Sequence, residues 1–113
     1  MRVTFAMRLE ALTNKRYHWT KVSKIKRGQR DLVAFHLRDK ELPPLPVVVT
    51  LVRIAPIFLD DDNNQNAFKA VRDQIASAYG EDDRSVKYKW VYGQRKCKKS
   101  EPESIEITIE ART

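Results

Sequence analysis

Three consecutive carboxylates, Asp60-Asp61-Asp62, separate an apolar stretch from an amphipathic one, and a second acidic group, Glu81-Asp82-Asp83, follows the amphipathic stretch. Residues two apart in an extended segment face the same side, so Asp60 and Asp62 can converge. Hard cations such as Mg²⁺ take carboxylate oxygens from converging loop ends. A helix cap is the other use of such residues: one aspartate at an N-cap accepts a backbone N–H bond and complements the helix dipole. Capping accounts for one aspartate well and two adequately. Three clustered carboxylates repel one another without a cation. On the residues alone, a metal site and a pair of solvated acidic turns both stay open.

The stretch between the two acidic groups adds a basic residue. Measured from Asp62 in a helix, Asn66, Lys69 and Asp73 fall within about 40° of one stripe. That stripe lies opposite Phe68, Val71 and Ile75, which places Lys69 on the side of the carboxylates. A lysine there can steady a phosphate or a developing oxyanion. Its bland counterpart is an exposed lysine on a polar face.

Cations crowd two other places. Lys15, Arg16, Lys21, Lys24, Lys26, Arg27 and Arg30 follow one another with no acidic residue between them, and Arg95, Lys96, Lys98 and Lys99 form a second cluster. Phosphate backbones bind such groups with release of counterions, which gives affinity without sequence specificity. Like charges along a helix repel each other, so the first cluster points to an anionic partner, most simply nucleic acid. Tyr17, His18 and Trp19 interleave aromatic rings that can stack on bases. Trp19 reads rather as a core residue, and His36 as packed on a helix's inner face. Cys97 has lysine neighbours but no evident histidine partner, and no Ser-His-Asp pattern is discernible.

Composition narrows the classes. The chain has 113 residues with 22 Lys+Arg against 15 Asp+Glu, a net charge of +7, and reads as one domain over 1–113. A lone cysteine excludes an internal disulfide and a zinc ribbon or finger. Three glycines in all leave no room for a Gly-rich phosphate loop. No apolar run approaches the ~20 residues of a membrane-spanning helix, so no membrane partner is expected. The first residues, Met1 to Phe5, lack a signal-peptide pattern, which leads to a cytoplasmic expectation.

The elements that must carry these residues follow from periodicity. Val3, Phe5, Met7 and Leu9 alternate with polar residues as a half-buried strand does. Leu12-Thr13-Asn14 reads as a turn. Residues 17–38 show helical spacing in Trp19, Val22, Ile25, Leu32, Val33, His36 and Leu37, with a possible break at Gly28. Prolines 43, 44 and 46 end that helix. Val47–Ile54 is β-branched and nearly continuously apolar, which predicts a central strand covered on both faces. A second helix runs from the Asp60–Asn63 region to Tyr79 with Ala67, Phe68, Val71, Ile75 and Ala78 inward and Gly80 as its stop. Val86, Tyr88, Trp90 and Tyr92 alternate in a third strand. Gly93–Pro102 reads as a basic connection, and Ile105, Ile107 and Ile109 mark a last strand that forms a terminal hairpin with the third. The expected fold is α+β, in the order β-α-β-α-β-β, with a mixed sheet and two helices packed on it.

With these motifs in place the chain resembles the RusA family of Holliday-junction resolvases, and most of all its small phage and prophage members. The resemblance rests on Asp60-Asp61-Asp62-Asn63, on Ala67-Phe68-Lys69-Ala70-Val71-Arg72-Asp73 and on Gly80-Glu81-Asp82-Asp83, and covers nearly the whole chain. Asn14-Lys15-Arg16-Tyr17-His18-Trp19 resembles the basic segment that opens the family's first helix. The resemblance implies a homodimeric endonuclease that uses Mg²⁺, with Mn²⁺ as a substitute, and cuts branched four-way DNA by paired nicks in recombination and repair. It assigns Asp60 and Asp62 to the Asp-x-Asp carboxylates and Asp83 to the later one, with Asp82 as the near-equal alternative. Asp61 becomes a ligand if the register shifts by one. Lys69 would be the helical lysine, although the best-studied members carry it where Asn66 stands here. The Pro-Ser-x-Asn signature after the first strand is reduced to Leu12-Thr13-Asn14. Without the resemblance, two other readings remain: a non-catalytic nucleic-acid-binding module, and an accessory protein that docks an acidic partner.

Overall fold

The computed structural model describes residues 1–9 and 18–112. The expected turn at Leu12-Thr13-Asn14 and the candidate DNA contacts Lys15 and Arg16 lie outside the described residues, as does Tyr17. Seven elements follow in order: β1 (Arg2–Ala6), α1 (Trp19–Leu37), β2 (Val47–Ala55), α2 (Asp61–Ala67), α3 (Lys69–Tyr79), β3 (Tyr88–Lys96) and β4 (Ser104–Ala111). The α+β class and the mixed sheet are as expected from the sequence.

The sheet has four strands in the order β1-β4-β2-β3. β2 pairs parallel with β3 and antiparallel with β4, and β4 pairs antiparallel with β1. A parallel pair needs a long crossover, and α2 and α3 supply it. The expected terminal hairpin does not form. β2 lies between β3 and β4, so the connection after β3 carries the chain past the end of β2 to its other edge. β3 also runs further than the sequence suggests, and Arg95 and Lys96 belong to the strand rather than to the loop.

One face of the sheet is the core. Val47, Val49 and Leu51 of β2 sit level with Ala111, Ile109 and Ile107 of β4, and Phe5 of β1 is level with Ile105. Val33 and Leu37 of α1, Phe68, and Val71 and Ile75 of α3 close over them, all buried. His36 stacks on Phe5 with ring centroids 4.0 Å apart, as its inner-face reading requires. The other face of β2 is not covered: Val48, Thr50 and Val52 are only half-buried. With both helical layers on one side, the apolar run overstates the burial.

Two helical expectations need correction. Trp19 is not core; it is 72 % exposed. α1 runs unbroken through Gly28, but its buried residues are Gln29, Val33 and Leu37, so the N-terminal half of the helix extends beyond the sheet's core. The second helix is two helices, giving three among the described residues. Phe68, with φ −88° and ψ 5°, separates α2 from α3, and its fully buried ring anchors the break. Ala78, expected inward, is exposed.

Candidate functional site

The best-built polar constellation lies where α3 hands over to β3. α3 stops at Gly80, whose φ of 71° is the left-handed conformation that glycine adopts without a Cβ penalty. The N–H groups of Gly80 and Glu81 donate to the carbonyls of Ser77 and Ala76, a Schellman termination. The chain then reverses through Glu81-Asp82-Asp83. Two aromatic side chains of β3 hold this turn. The Tyr88 hydroxyl donates to the Glu81 carbonyl at 3.0 Å, and the Trp90 indole N–H to the Asp83 carbonyl at 2.9 Å.

The two aspartates diverge. Asp82 faces solvent and accepts from both the guanidinium and the backbone N–H of Arg84. Those hydrogen bonds hold its carboxyl well below the usual carboxylate range. Asp83 points inward, with its side chain 15 % exposed, between two cations of α3: Lys69 Nζ at 3.5 Å and Arg72 Nε at 3.7 Å. Lys69 also donates to Asp73 at 3.1 Å, and this bond, with the Asp83 charge, raises the lysine's pKa. Arg72 further donates to the Tyr92 hydroxyl at 2.7 Å, which fixes the guanidinium against β3. Sequence spacing alone sets Lys69 near carboxylates. It does not single out Arg72, although a place three residues after Lys69 puts it on a neighbouring row of the same helix.

The first acidic group lies elsewhere. Asp60 occupies the N-cap position of α2 but makes no side-chain cap bond, and Asp61 and Asp62 fill the first turn. All three are exposed. Their setting is fixed by Gln94 of β3, whose amide both accepts from the Leu59 N–H and donates to the Leu59 carbonyl, each at 2.8 Å. Buried Asn64 donates to the Gly93 carbonyl and leaves its Oδ1 without a partner among the described residues. A cavity of about 370 Å³ opens here, lined by Asp61, Asn64, Phe58 and Tyr92 among others.

The structure does not bring the two acidic groups together. Among the described residues, no three His, Cys, Asp or Glu side chains converge as a metal would require. Asp61 and Asp62 lie in the first turn of α2, on the far side of the Phe68 break, whereas Asp83 lies beside Lys69 and Arg72 of α3. As placed, Asp60, Asp62 and Asp83 do not fit a shared cation, and Asp83 already has two positive neighbours.

The basic residues are spread over two surfaces. Lys21, Lys24 and Arg27 on α1 are exposed, while Lys26 and Arg30 are half-buried. Arg95 pairs with Glu106 at 3.6 Å, and Lys96 lies 5.3 Å from the Phe58 ring centroid. Lys98 and Lys99 are exposed in the connection to β4. Cys97 is half-buried and in no disulfide. No helix among the described residues is long and apolar enough to cross a membrane. No protein-family model matches the chain, and no curated protein matches it either.

Proposed function

We propose that this chain is a structure-selective DNA endonuclease of the RusA type, acting as a homodimer on four-way junctions by paired nicks. The observation that carries the reading is the contact between Lys69 and Asp83. Two residues that the resemblance assigns to one site, fourteen positions apart, meet beside the first turn of α3. Exposed cations on α1 and at the end of β3 offer contacts to the arms of a branched substrate. Two subunits would suit a substrate with near two-fold symmetry.

The roles of the chain's own groups follow from charge. Lys69 and Arg72 offer N–H donors to a phosphate oxygen and to the charge that builds on it. Asp83 keeps both cations at one place on α3, and Tyr92 limits the swing of Arg72. The dependence on Mg²⁺, with Asp60, Asp62 and Asp83 as ligands, rests on the resemblance. The separation of those carboxylates favours a second reading: a nucleic-acid-binding module of the same fold in which they act as electrostatic gates.

One experiment separates the two. A labelled synthetic four-way junction is incubated with the protein in Mg²⁺, in Mn²⁺ and in EDTA, beside a linear duplex. Symmetrical nicks that need the cation and spare the duplex support the endonuclease. Asp62→Asn should then lose cutting and keep or tighten binding. Tight binding without a cut in either metal overturns the endonuclease in favour of the binding module.

A further inference from the structure

One of the three buried residues of α1 is polar. Gln29, Val33 and Leu37 follow each other at four-residue spacing, and all three are buried. Val33 and Leu37 belong to the core cluster. Gln29 is only 6 % exposed, yet its amide makes no hydrogen bond to any described residue. The Gln29 amide atoms are not among the buried polar atoms left without a partner, so the amide end reaches solvent and is open to a ligand there.

Gln29 lines a notch of about 120 Å³ between α1 and the α2–α3 pair. That is room for several waters or for one tetrahedral oxyanion. Ala67 and Ala70 keep the notch open by having no bulk. Its polar lining is Lys26 and Gln29 from α1, facing Asn66, Lys69 and Arg72. Three of these are cations and none is a carboxylate. Lys26 has no acidic partner among the described residues. Cations on both walls with amide N–H donors between them match the several acceptor oxygens of a phosphate group.

We infer that this notch is a phosphate seat that holds one backbone phosphodiester of a nucleic-acid strand, with Gln29 donating an amide N–H to a non-bridging oxygen. The nucleic-acid occupant rests on the proposed function. The oxyanion seat itself rests on Gln29, Lys26 and the notch. It makes Gln29 a binding residue and places α1 within the site rather than only along its approach. Lys69 and Arg72 then face the strand on one side and Asp83 on the other.

The test uses the full chain in EDTA, so that no cutting enters the readout. ¹H–¹⁵N spectra are recorded during titration with a thymidine trinucleotide and, separately, with inorganic phosphate. The expected result is a saturable shift of the Gln29 side-chain amide pair with the trinucleotide. Gln29→Glu, nearly the same shape but repelling an anion, should weaken trinucleotide binding by ~10-fold, equivalent to about 1.4 kcal/mol. Lys26→Ala, at a half-exposed position, should weaken it less. Should Gln29→Glu fail to fold, Gln29→Met together with the wild-type amide shift decides the same question. A silent Gln29 amide while other residues respond overturns the seat, as does wild-type affinity in Gln29→Glu. A response to phosphate with none to the trinucleotide overturns the nucleic-acid occupant. Junction cutting with a silent Gln29 removes the seat alone, whereas a responding Gln29 without cutting removes the endonuclease alone.

Discussion

The indole N–H of Trp90 donates to the backbone carbonyl of Asp83 at 2.9 Å, so an edge strand clamps the turn that carries the inward carboxylate. The bond positions Asp83 through its backbone and leaves the side chain to Lys69 and Arg72. Trp90→Phe keeps most of the ring and removes the donor. It should cost about 1 kcal/mol of global stability, the usual net worth of one hydrogen bond. Local loosening should exceed that cost. Hydrogen exchange should show lower protection across residues 81–86 with α1 unchanged. Equal protection in the variant would mean that the clamp contributes nothing to the turn.

Gly80 fixes where α3 ends and therefore where Asp83 begins its return. Its φ of 71° is a conformation that side chains other than glycine rarely adopt, although a Cβ there would meet nothing within 4 Å. The cost of Gly80→Ala is thus backbone strain, not collision, and should be about 1 kcal/mol. Urea unfolding should show a lower midpoint with an unchanged slope. An unaltered midpoint would show that the turn accepts another geometry at no cost.

How far the sequence foretells this arrangement depends on the range of the interaction. The alternation of Ile105, Ile107 and Ile109 and the stop at Gly80 are local signals, and the structure follows them. Val47–Ile54 announces a central strand but not its partners, because pairing is decided by which edges remain open after the helices dock. A terminal hairpin is the shortest connection, yet β2 claims both neighbours. Trp19 carries a core-forming side chain on a helical turn with no sheet beneath it. Phe68 fits a continuous helical stripe and instead marks a break, since its ring is held by the core. At the site, periodicity sets Lys69 on the row of Asp73, and the two pair, whereas the contact with Asp83 depends on how the turn after α3 folds back. Asp62 falls on another helix than Lys69, because the wheel assumes one unbroken helix and Phe68 breaks it. Gln29 leaves a trace as a polar residue on an apolar stripe. Arg72 leaves none until Tyr92 and Asp83 are seen on either side of it.

The tyrosines predict an alkaline limit to stability. Tyr88 is buried, with its hydroxyl on the Glu81 carbonyl, and burial beside Glu81 pushes its pKa from 10.0 up to about 12. A pKa raised in the folded state gives stability that is complete below the unfolded value and lost as pH rises through the folded one. Lys69, raised by its bond to Asp73, acts in the same direction above its ordinary 10.5. Stability should therefore hold to about pH 10 and fall between about pH 10 and 12. Tyr88→Phe should reduce that fall, at the cost of a lower plateau from the lost hydrogen bond. Thermal melts from pH 8 to 12 check this, and identical alkaline slopes for both proteins would remove Tyr88 as the cause.

Asp83 gives the sharpest prediction about binding. It is the carboxylate that faces both Lys69 and Arg72, and at 15 % side-chain exposure it is shielded from salt better than a surface pair. Asp83→Asn keeps the shape and removes the charge. Two cations are then left with less compensation: Lys69 retains Asp73, and Arg72 retains the Tyr92 hydroxyl. The fold should lose about 1 kcal/mol or more, because a partly buried positive pair is no longer balanced. Affinity for DNA should move the other way. Freeing the cations for phosphate should tighten binding and steepen the dependence of log K on log salt by about one unit for each further phosphate neutralised. If the proposed endonuclease is correct, cutting of the four-way junction should vanish in the same variant. Fluorescence anisotropy across a salt series, with and without Mg²⁺, reads the change in affinity, and gel analysis of the same samples reads the cutting. Weaker binding at every salt concentration would show that Asp83 holds the two cations in their binding geometry and does not mask them.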